Sequence, residues 1–142
     1  MIDMIDSFSG EYRFLSNFYM IDVEFEGMVY RSVEHAYQAA KSTDLSIRKH
    51  IQQFLTPGKA KRFGKSIEIR EDWERVKVGI MYELIRKKFN NEELKSKLLD
   101  TGDLWIIEGN NWNDTFWGYC NGDGRNVLGV ILMNVRDELR YE

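Results

Sequence analysis

A predominantly helical α+β domain is predicted by three features of this 142-residue sequence. Residues 72–89 place apolar side chains at the three- and four-residue spacing of an amphipathic helix. Residues 23–30 alternate apolar and polar side chains around Glu26-Gly27, which is typical of a β-hairpin. No linker-like or repetitive stretch interrupts the chain. We therefore expect one compact domain over residues 1–142, with about six helices and a small antiparallel sheet.

Helix-start signals define the elements that follow the hairpin. Ser32 is a suitable N-cap because its hydroxyl can accept a backbone N–H of the first helical turn. Thr56-Pro57 combines such a cap with a proline at the first helical position, and the helix that it starts is expected to end near Gly64. The predicted helices of this half of the chain cover residues 33–42, 45–55, 57–65 and 72–89.

The last third of the chain is predicted to hold two helices, a short strand and a long loop. Asn90 is expected to cap the first helix, with Glu93 completing an arrangement like a capping box. Asn126 is expected to cap the second helix. Six of the eleven glycines lie in the last 41 residues, which indicates an irregular loop. The predicted elements are a helix over 92–101, a strand over 104–108, a loop over 109–126 and a helix over 127–139.

Composition excludes several classes of function. Lys plus Arg number 20 and Asp plus Glu number 23, and the net charge of −3 disfavours extensive binding to duplex nucleic acid or to a membrane surface. One cysteine and two histidines are too few for a Cys/His zinc site, and we expect neither a metal nor a cofactor. The N-terminal segment lacks the basic start of a secretory signal, and no window is apolar enough to span a membrane. We therefore expect a soluble protein of the cytoplasm.

The first predicted helix carries a candidate functional face. Glu34, Tyr37, Gln38 and Lys41 fall within an arc of about 100° around the helix axis. Glu34 and Lys41 are separated by about 10.5 Å along the axis, too far for an ion pair but suited to flank a small molecule. Two interpretations remain open: a binding face, or a solvated face with scattered charges. His35, like Tyr37, is on residue type alone expected to be semi-buried and structural.

The predicted loop contains a second candidate group. Trp112, Phe116 and Trp117 lie among asparagines and Asp114, a composition that can stack a base and bind its edge or a ribose. The alternative is a loop built of Asx turns and held to the core by its tryptophans.

A third group is basic and lies on the helix that Thr56-Pro57 starts. A helix N-terminus with nearby cations can hold phosphate. We favour solvated surface, because four bases spread around a short helix rarely converge on one ligand. The four are Lys59, Lys61, Arg62 and Lys65.

Eight segments, in this order along nearly the whole chain, resemble the YbiA-like family, also called the NADAR family for NAD and ADP-ribose. The combination of the EHAYQAAK helix, the DWE tryptophan, the WGY loop and the final helix is more specific than any single segment. The segments are FLSNFY (14–19), EGMVYRSVEHAYQAAK (26–41), TPGKAKRFG (56–64), IREDWERVK (69–77), KF (88–89), LLDTGD (98–103), EGNNWNDTFWG (108–118) and GRNVLGVILMNVR (124–136).

This resemblance implies a YbiA-like fold and N-glycosidase activity. The substrates described for the family are the ribosylamino intermediates of riboflavin biosynthesis and ADP-ribosylated guanine, the latter also within nucleic acid. The resemblance assigns functional roles to Glu34, Lys41, Trp73, Asp114 and Trp117, and it matches the segment Ser16, Asn17, Phe18. From the helix face and the loop, we add Tyr37, Gln38 and Gly118 as substrate-binding candidates.

Two mechanisms remain open for this chemistry. In one, Lys41 is a nucleophile that forms a Schiff base with ribose, and Glu34 transfers the proton. Trp73 and Trp117 would hold the base, and Asp114 would bind ribose or assist the water. In the other, Glu34 activates water directly and Lys41 only binds phosphate. A protein that binds ADP-ribose or a nucleotide without catalysis is the alternative of a different class.

Overall fold

Six α-helices, one 3-10 helix and four short strands form residues 3–142, the part of the chain that the computed structural model describes. The predicted fold class is therefore confirmed. Met1 and Ile2, which begin the segment judged not to be a signal, lie outside the described residues. In chain order the elements are β1 Met4–Ile5, a 3-10 helix Gly10–Leu15, β2 Val23–Phe25, β3 Met28–Tyr30, α1 Val33–Ala40, α2 Leu45–Gln52, α3 Pro57–Gly64, α4 Trp73–Lys88, α5 Glu92–Asp100, β4 Trp105–Ile106 and α6 Val127–Arg140.

The chain divides into two compact units. The first contains residues 3–16 and 89–142, and the second contains residues 17–88. The expectation of one domain over residues 1–142 stays a prediction. No helix among residues 3–142 combines the length and the apolar character that crossing a bilayer requires.

The second unit is built around α1. The α2, α3 and α4 helices and the β2–β3 hairpin all pack against it, and all eight of its residues are buried. Ser32 caps the helix as predicted, because its Oγ accepts the backbone N–H of His35 at 3.1 Å. The predicted hairpin turn is also confirmed: Glu26 and Gly27 have φ values of 47° and 88°, and β2 pairs with β3 antiparallel.

The first unit is formed by the two ends of the described chain. Its β1 and β4 pair in parallel, with Met4 opposite Trp105 and Ile5 opposite Ile106. This pairing was not predicted, because strands of two residues are too short to show an alternating pattern. The α6 helix packs against β4 and α5. It buries a stripe of apolar side chains, namely Leu128, Ile131, Leu132, Val135 and Leu139.

Two predicted caps are wrong in detail. Asn91, not Asn90, caps α5, and its Oδ1 accepts the backbone N–H of Leu94 at 3.0 Å. Asn126 precedes α6 but makes no side-chain cap. Its side chain instead binds the backbone that leaves β4, donating to the Ile106 carbonyl and accepting the Glu108 N–H, both at 2.9 Å. Hydrogen bonds to residues distant in sequence therefore take the place of a local cap.

Several predicted elements are shorter than expected. The predicted strand over 104–108 is reduced to β4, and the first helix ends at Ala40 rather than 42. The helix predicted over 45–55 ends at Gln52. Phe54 lies beyond its end and offers its carbonyl to Nε2 of His35 at 2.9 Å. If the helix continued through residue 55, the Phe54 carbonyl would point along the helix axis and not toward His35. The early end of α2 therefore accompanies a tertiary hydrogen bond.

His35 was expected to be semi-buried, but it is fully buried, and both ring nitrogens have hydrogen-bond partners. Its Nδ1 lies 2.7 Å from Ser32 Oγ and its Nε2 lies 2.9 Å from the Phe54 carbonyl oxygen. A neutral ring that donates from Nε2 and accepts at Nδ1 satisfies both contacts. Burial lowers the pKa of His35, the hydrogen bond to Phe54 opposes this shift, and nearby Arg31 adds to it.

This environment predicts a pH-dependent stability. The folded protein disfavours protonated His35. The free energy of unfolding should therefore have its full value above the ordinary histidine pKa of 6.5 and decrease as the pH drops below it. One proton gives a slope of at most about 1.4 kcal/mol per pH unit. Urea unfolding between pH 7.5 and 5 measures it.

The control for this measurement is His50, which is exposed. A His50→Gln protein should keep the decline in stability, whereas a flat profile in the parent protein would contradict the prediction.

Carboxyl groups with a lowered pKa affect stability in a separate, more acidic pH range. The stabilisation from Glu24, Asp44 and Asp72 is lost only as the pH falls below their ordinary values of 4.5, 3.8 and 3.8.

Candidate active site

The polar face of α1 is buried rather than solvated. Glu34 and Gln38 are only 8% and 4% exposed, and Tyr37 is buried beside them. Gln38 Nε2 donates to Glu34 Oε2 at 2.6 Å, as expected for residues one helical turn apart. The interpretation of this face as scattered solvated charge is therefore wrong. Burying a carboxylate is costly, so its presence on this face favours a functional role.

Lys41 follows the last residue of α1 and is half-buried. Its Nζ lies 5.6 Å from the centroid of the Tyr37 ring, within the range of a cation–π contact. Its backbone carbonyl accepts the N–H of Arg70 at 2.8 Å, which ties the end of α1 to the segment before α4. The predicted face thus continues past the helix end, with its amine next to an aromatic ring.

The surroundings of Lys41 shift the pKa of its amine downward. Burial lowers the pKa of Lys41 below its ordinary value, and Lys61, Lys77 and Lys65 lower it further, whereas Glu34 opposes the shift. A neutral amine is the form that can act as a nucleophile. Lys61 and Lys65 are expected from the sequence to be solvated surface, yet their charges lower the pKa of the half-buried Lys41 amine.

Trp73 joins the same group from the start of α4. It is 6% exposed, and its ring packs on Tyr37 with centroids 5.1 Å apart and planes inclined by 55°. The turn that leads into α4 is stabilised by an ion pair between Arg70 and Asp72, with Nε and Oδ1 2.6 Å apart. Two aromatic side chains and an amine thus lie together in the second unit.

Asn17 and Phe18 approach α1 and its neighbours from the start of the second unit. The Asn17 carbonyl accepts the N–H of Glu34 at 3.1 Å, so it binds a first-turn donor of α1. Its Nδ2 contacts Met81 Sδ at 3.6 Å. The Phe18 ring lies 5.9 Å from Lys61 Nζ. The second unit therefore brings together six predicted residues: Asn17, Glu34, Tyr37, Gln38, Lys41 and Trp73, with Phe18 beside Lys61.

The remaining predicted residues belong to the first unit. Asp114 Oδ1 accepts the backbone N–H groups of Phe116 and Trp117 at 3.1 and 2.9 Å. Asn110 Oδ1 likewise accepts from Trp112 at 3.2 Å, so Asx turns do shape this loop. The tryptophans do not hold it equally to the core, because Trp112 is 54% exposed whereas Trp117 is half-buried. The catalytic role of Asp114 and the stacking role of Trp117 stay predictions.

Gly118 and Ser16 have clear local roles in the same unit. A Cβ on Gly118 would collide with the Glu108 side chain and lie 2.6 Å from Asn110 Nδ2, so only glycine fits there. Ser16 ends the 3-10 helix and donates its N–H to the Arg13 carbonyl at 3.0 Å. Their assignment to substrate binding also stays a prediction.

An open cleft of about 590 Å³ lies elsewhere in the second unit. Four carboxylates and one guanidinium line it, and this acidic lining disfavours a phosphate-bearing ligand. Residues 3–142 hold no cluster of three histidine, cysteine or carboxylate residues suited to a metal ion. The cleft is lined by Ser42, Thr43, Asp44, Ile47, Glu68, Ile69, Arg70, Glu71 and Asp72.

Comparison with known proteins gives a consistent assignment. A model of the NADAR domain matches residues 6–140. The N-glycosidase YbiA of Escherichia coli is 35% identical over 140 residues, which cover 96% of this chain and 87% of that protein. An N-glycosidase of Nostoc punctiforme is 38% identical over 136 residues, covering 91% of this chain and 86% of the other. A riboflavin biosynthesis protein of Vibrio vulnificus is 37% identical over 131 residues, which cover 89% of this chain but only 35% of that longer protein.

The solved structures agree with these relatives. The NMR structure of the Escherichia coli protein YbiA matches with a TM-score of 0.85 and 34% identity, covering 99% of this chain and 88% of that one. The predicted resemblance and YbiA-like fold are thereby confirmed. With a family model over nearly the whole chain and relatives above 30% identity, this chain belongs to the NADAR family of YbiA-like N-glycosidases and is a hydrolase of N-glycosyl compounds.

Proposed function

We propose that the protein hydrolyses an exocyclic N-glycosidic bond, in which an amino group of a base carries C1 of ribose. The observation that carries this proposal is the arrangement of a buried carboxylate, Glu34, and a half-buried lysine, Lys41, along one face of α1. A hydrolase using only acid and base would need no amine there. A lysine whose pKa is lowered by burial suits attack on C1.

The first step of the proposed reaction opens the sugar. The exocyclic nitrogen of such a glycoside bears a hydrogen, so the furanose ring can open to an imine between that nitrogen and C1. The Glu34 carboxylate accepts the proton of the exocyclic nitrogen and delivers it to the ring oxygen as the C1–O bond breaks, so the imine that forms is neutral. The neutral amine of Lys41 then adds to C1.

The second step releases the base. A proton passes to the base nitrogen, the bond from that nitrogen to C1 breaks, and the base amine leaves. Lys41 is left joined to C1 as a Schiff base. Water adds to this C=N bond and the C1–N bond to Lys41 breaks, which regenerates the amine and frees the sugar. Tyr37 and Trp73 supply an aromatic surface for the base, and Trp117 and Asp114 keep the predicted roles of base stacking and ribose or water binding.

The names of relatives and the net charge support a substrate class. The Vibrio vulnificus relative is named as a riboflavin biosynthesis protein, which favours ribosylamino pyrimidines as substrates. The net charge of −3 also favours a small molecule over a long duplex. ADP-ribosylated guanine, free or in nucleic acid, is the second substrate that this chemistry accepts. The cytoplasmic location of the protein stays a prediction.

Release of free base amine by the purified protein tests the proposal. A ribosylamino pyrimidine should be turned over, and Glu34→Gln should lower kcat by about 10²–10⁴-fold, the usual contribution of a general acid–base group. Glu68→Gln is the matched control, because Glu68 is an exposed carboxylate of the same unit. Tight binding of ADP-ribose without any turnover of either glycoside would instead support the non-catalytic binding protein.

A further inference from the structure

The amide of Gln38 is enclosed by α1 on one side and α3 on the other. Its Nε2 donates to Glu34 Oε2 at 2.6 Å. Its Oε1 faces Gly64, the last residue of α3, where a Cβ would overlap that oxygen and lie 2.7 Å from Gln38 Cδ and 3.4 Å from Gln38 Cβ. Gly64 therefore leaves the space that the amide of Gln38 occupies.

Backbone conformation does not explain a glycine at position 64. Gly64 is helical and has no positive φ, so an L-residue could adopt its backbone. Alanine is the better helix former. At Gly58 in the same helix, an added methyl group would meet nothing within 4 Å, so the two glycines of α3 differ in what lies beside them. The steric need at position 64 comes from Gln38.

The orientation of the amide is the one that an ionised carboxylate requires. Gln38 is 96% buried, since its exposed fraction is 4%, and its Oε1 has no hydrogen-bond partner among residues 3–142. Leaving a buried acceptor unpaired is costly. Turning the amide over would place Oε1 against a carboxylate oxygen of Glu34, and an ionised carboxylate has no proton to donate. The observed orientation presents an amide donor to Glu34, which suits the ionised form of this carboxylate.

We propose that Gln38 and Gly64 are positioning residues for Glu34: Gly64 provides the space in which the Gln38 amide holds and orients the Glu34 carboxylate. This inference rests on the proposed function, in which Glu34 transfers the proton. Gln38 then acts through Glu34 rather than by touching the substrate. A methyl group at position 64 would displace the amide and release the carboxylate, because the three atoms nearest to it all belong to Gln38.

The test compares Gly64→Ala and Gln38→Leu with Gly58→Ala, the control glycine of the same helix. Both test variants should lower kcat by about 100-fold, the effect of misplacing a catalytic group by about 1 Å. Both should also move the acidic limb of the pH–rate profile to higher pH, because the lost hydrogen bond favoured the charged carboxylate. KM should change little, and Gly58→Ala should keep the parent profile.

A double variant separates positioning from folding. Gly64→Ala should lower the melting temperature in the parent but not in a Gln38→Ala protein, where the colliding side chain is absent, and activity should stay low in both. Parent-like kcat and pH profile in folded Gly64→Ala would overturn the inference. A 100-fold loss of kcat on Gln38→Leu that persists in a Glu34→Gln background would also overturn the inference. Full activity of Glu34→Gln would instead overturn the proposed function.

Discussion

Arginine in place of Lys41 is expected to lower turnover by on the order of 10³-fold or more, the scale of losses seen when a catalytic nucleophile is removed. Arginine keeps the positive charge, but its guanidinium stays protonated and forms no Schiff base with a sugar. Binding of a phosphate-bearing substrate should therefore survive while chemistry stops. Steady-state kinetics and ligand titration on folded Lys41→Arg separate the two effects.

Chemical trapping gives the same prediction a direct readout. Borohydride added during turnover should reduce the Schiff base, and the protein mass should rise by that of the reduced sugar moiety. The adduct should map to Lys41 and be absent from Lys41→Arg. Lys49→Arg is the control, because Lys49 is exposed on α2. Normal turnover by Lys41→Arg would leave Lys41 as a phosphate contact and favour direct attack by water.

The second large effect concerns which glycosides react. The Schiff-base route requires a hydrogen on the glycosidic nitrogen, because only then can the sugar open to a neutral imine. Ribosylamino pyrimidines and N2-linked ADP-ribosyl guanine meet this requirement. The nitrogen of NAD belongs to a pyridinium ring and carries no hydrogen. We therefore expect the protein to cleave exocyclic N-ribosides while leaving NAD essentially intact.

A side-by-side assay measures this selectivity. Amine release from a ribosylamino substrate and nicotinamide release from NAD are followed at equal enzyme concentration, and NAD is also tested as a competitive inhibitor. Inhibition by NAD without its cleavage would place the selectivity in the chemical step rather than in binding. Comparable rates on both glycosides would contradict the lysine mechanism and leave Glu34 as the principal catalyst.

Local sequence was sufficient to predict the helical character, the hairpin and two caps. Ser32 and Thr56 cap α1 and α3 as expected, because a cap depends on residues within one turn. The Glu26-Gly27 turn is likewise determined by residues that are neighbours in sequence. The family resemblance and the 3.6-residue periodicity also placed Glu34, Gln38 and Lys41 on one face of one helix.

Tertiary structure alone decided whether that face is buried or solvated. Periodicity gives the direction of a side chain but not whether water or protein covers it, so the burial of Glu34 depends on α2, α3 and α4 packing around α1. The same reason explains the misjudged Asn126, whose side chain binds backbone 18 and 20 residues away. Gly64 was predicted only as a helix end, and its contact with Gln38 joins residues that no local pattern relates. Sequence by itself determined the elements, the chemical groups and the spacing that lets Gln38 reach Glu34, whereas packing between distant residues determined the burial of this face and the lowered pKa of Lys41.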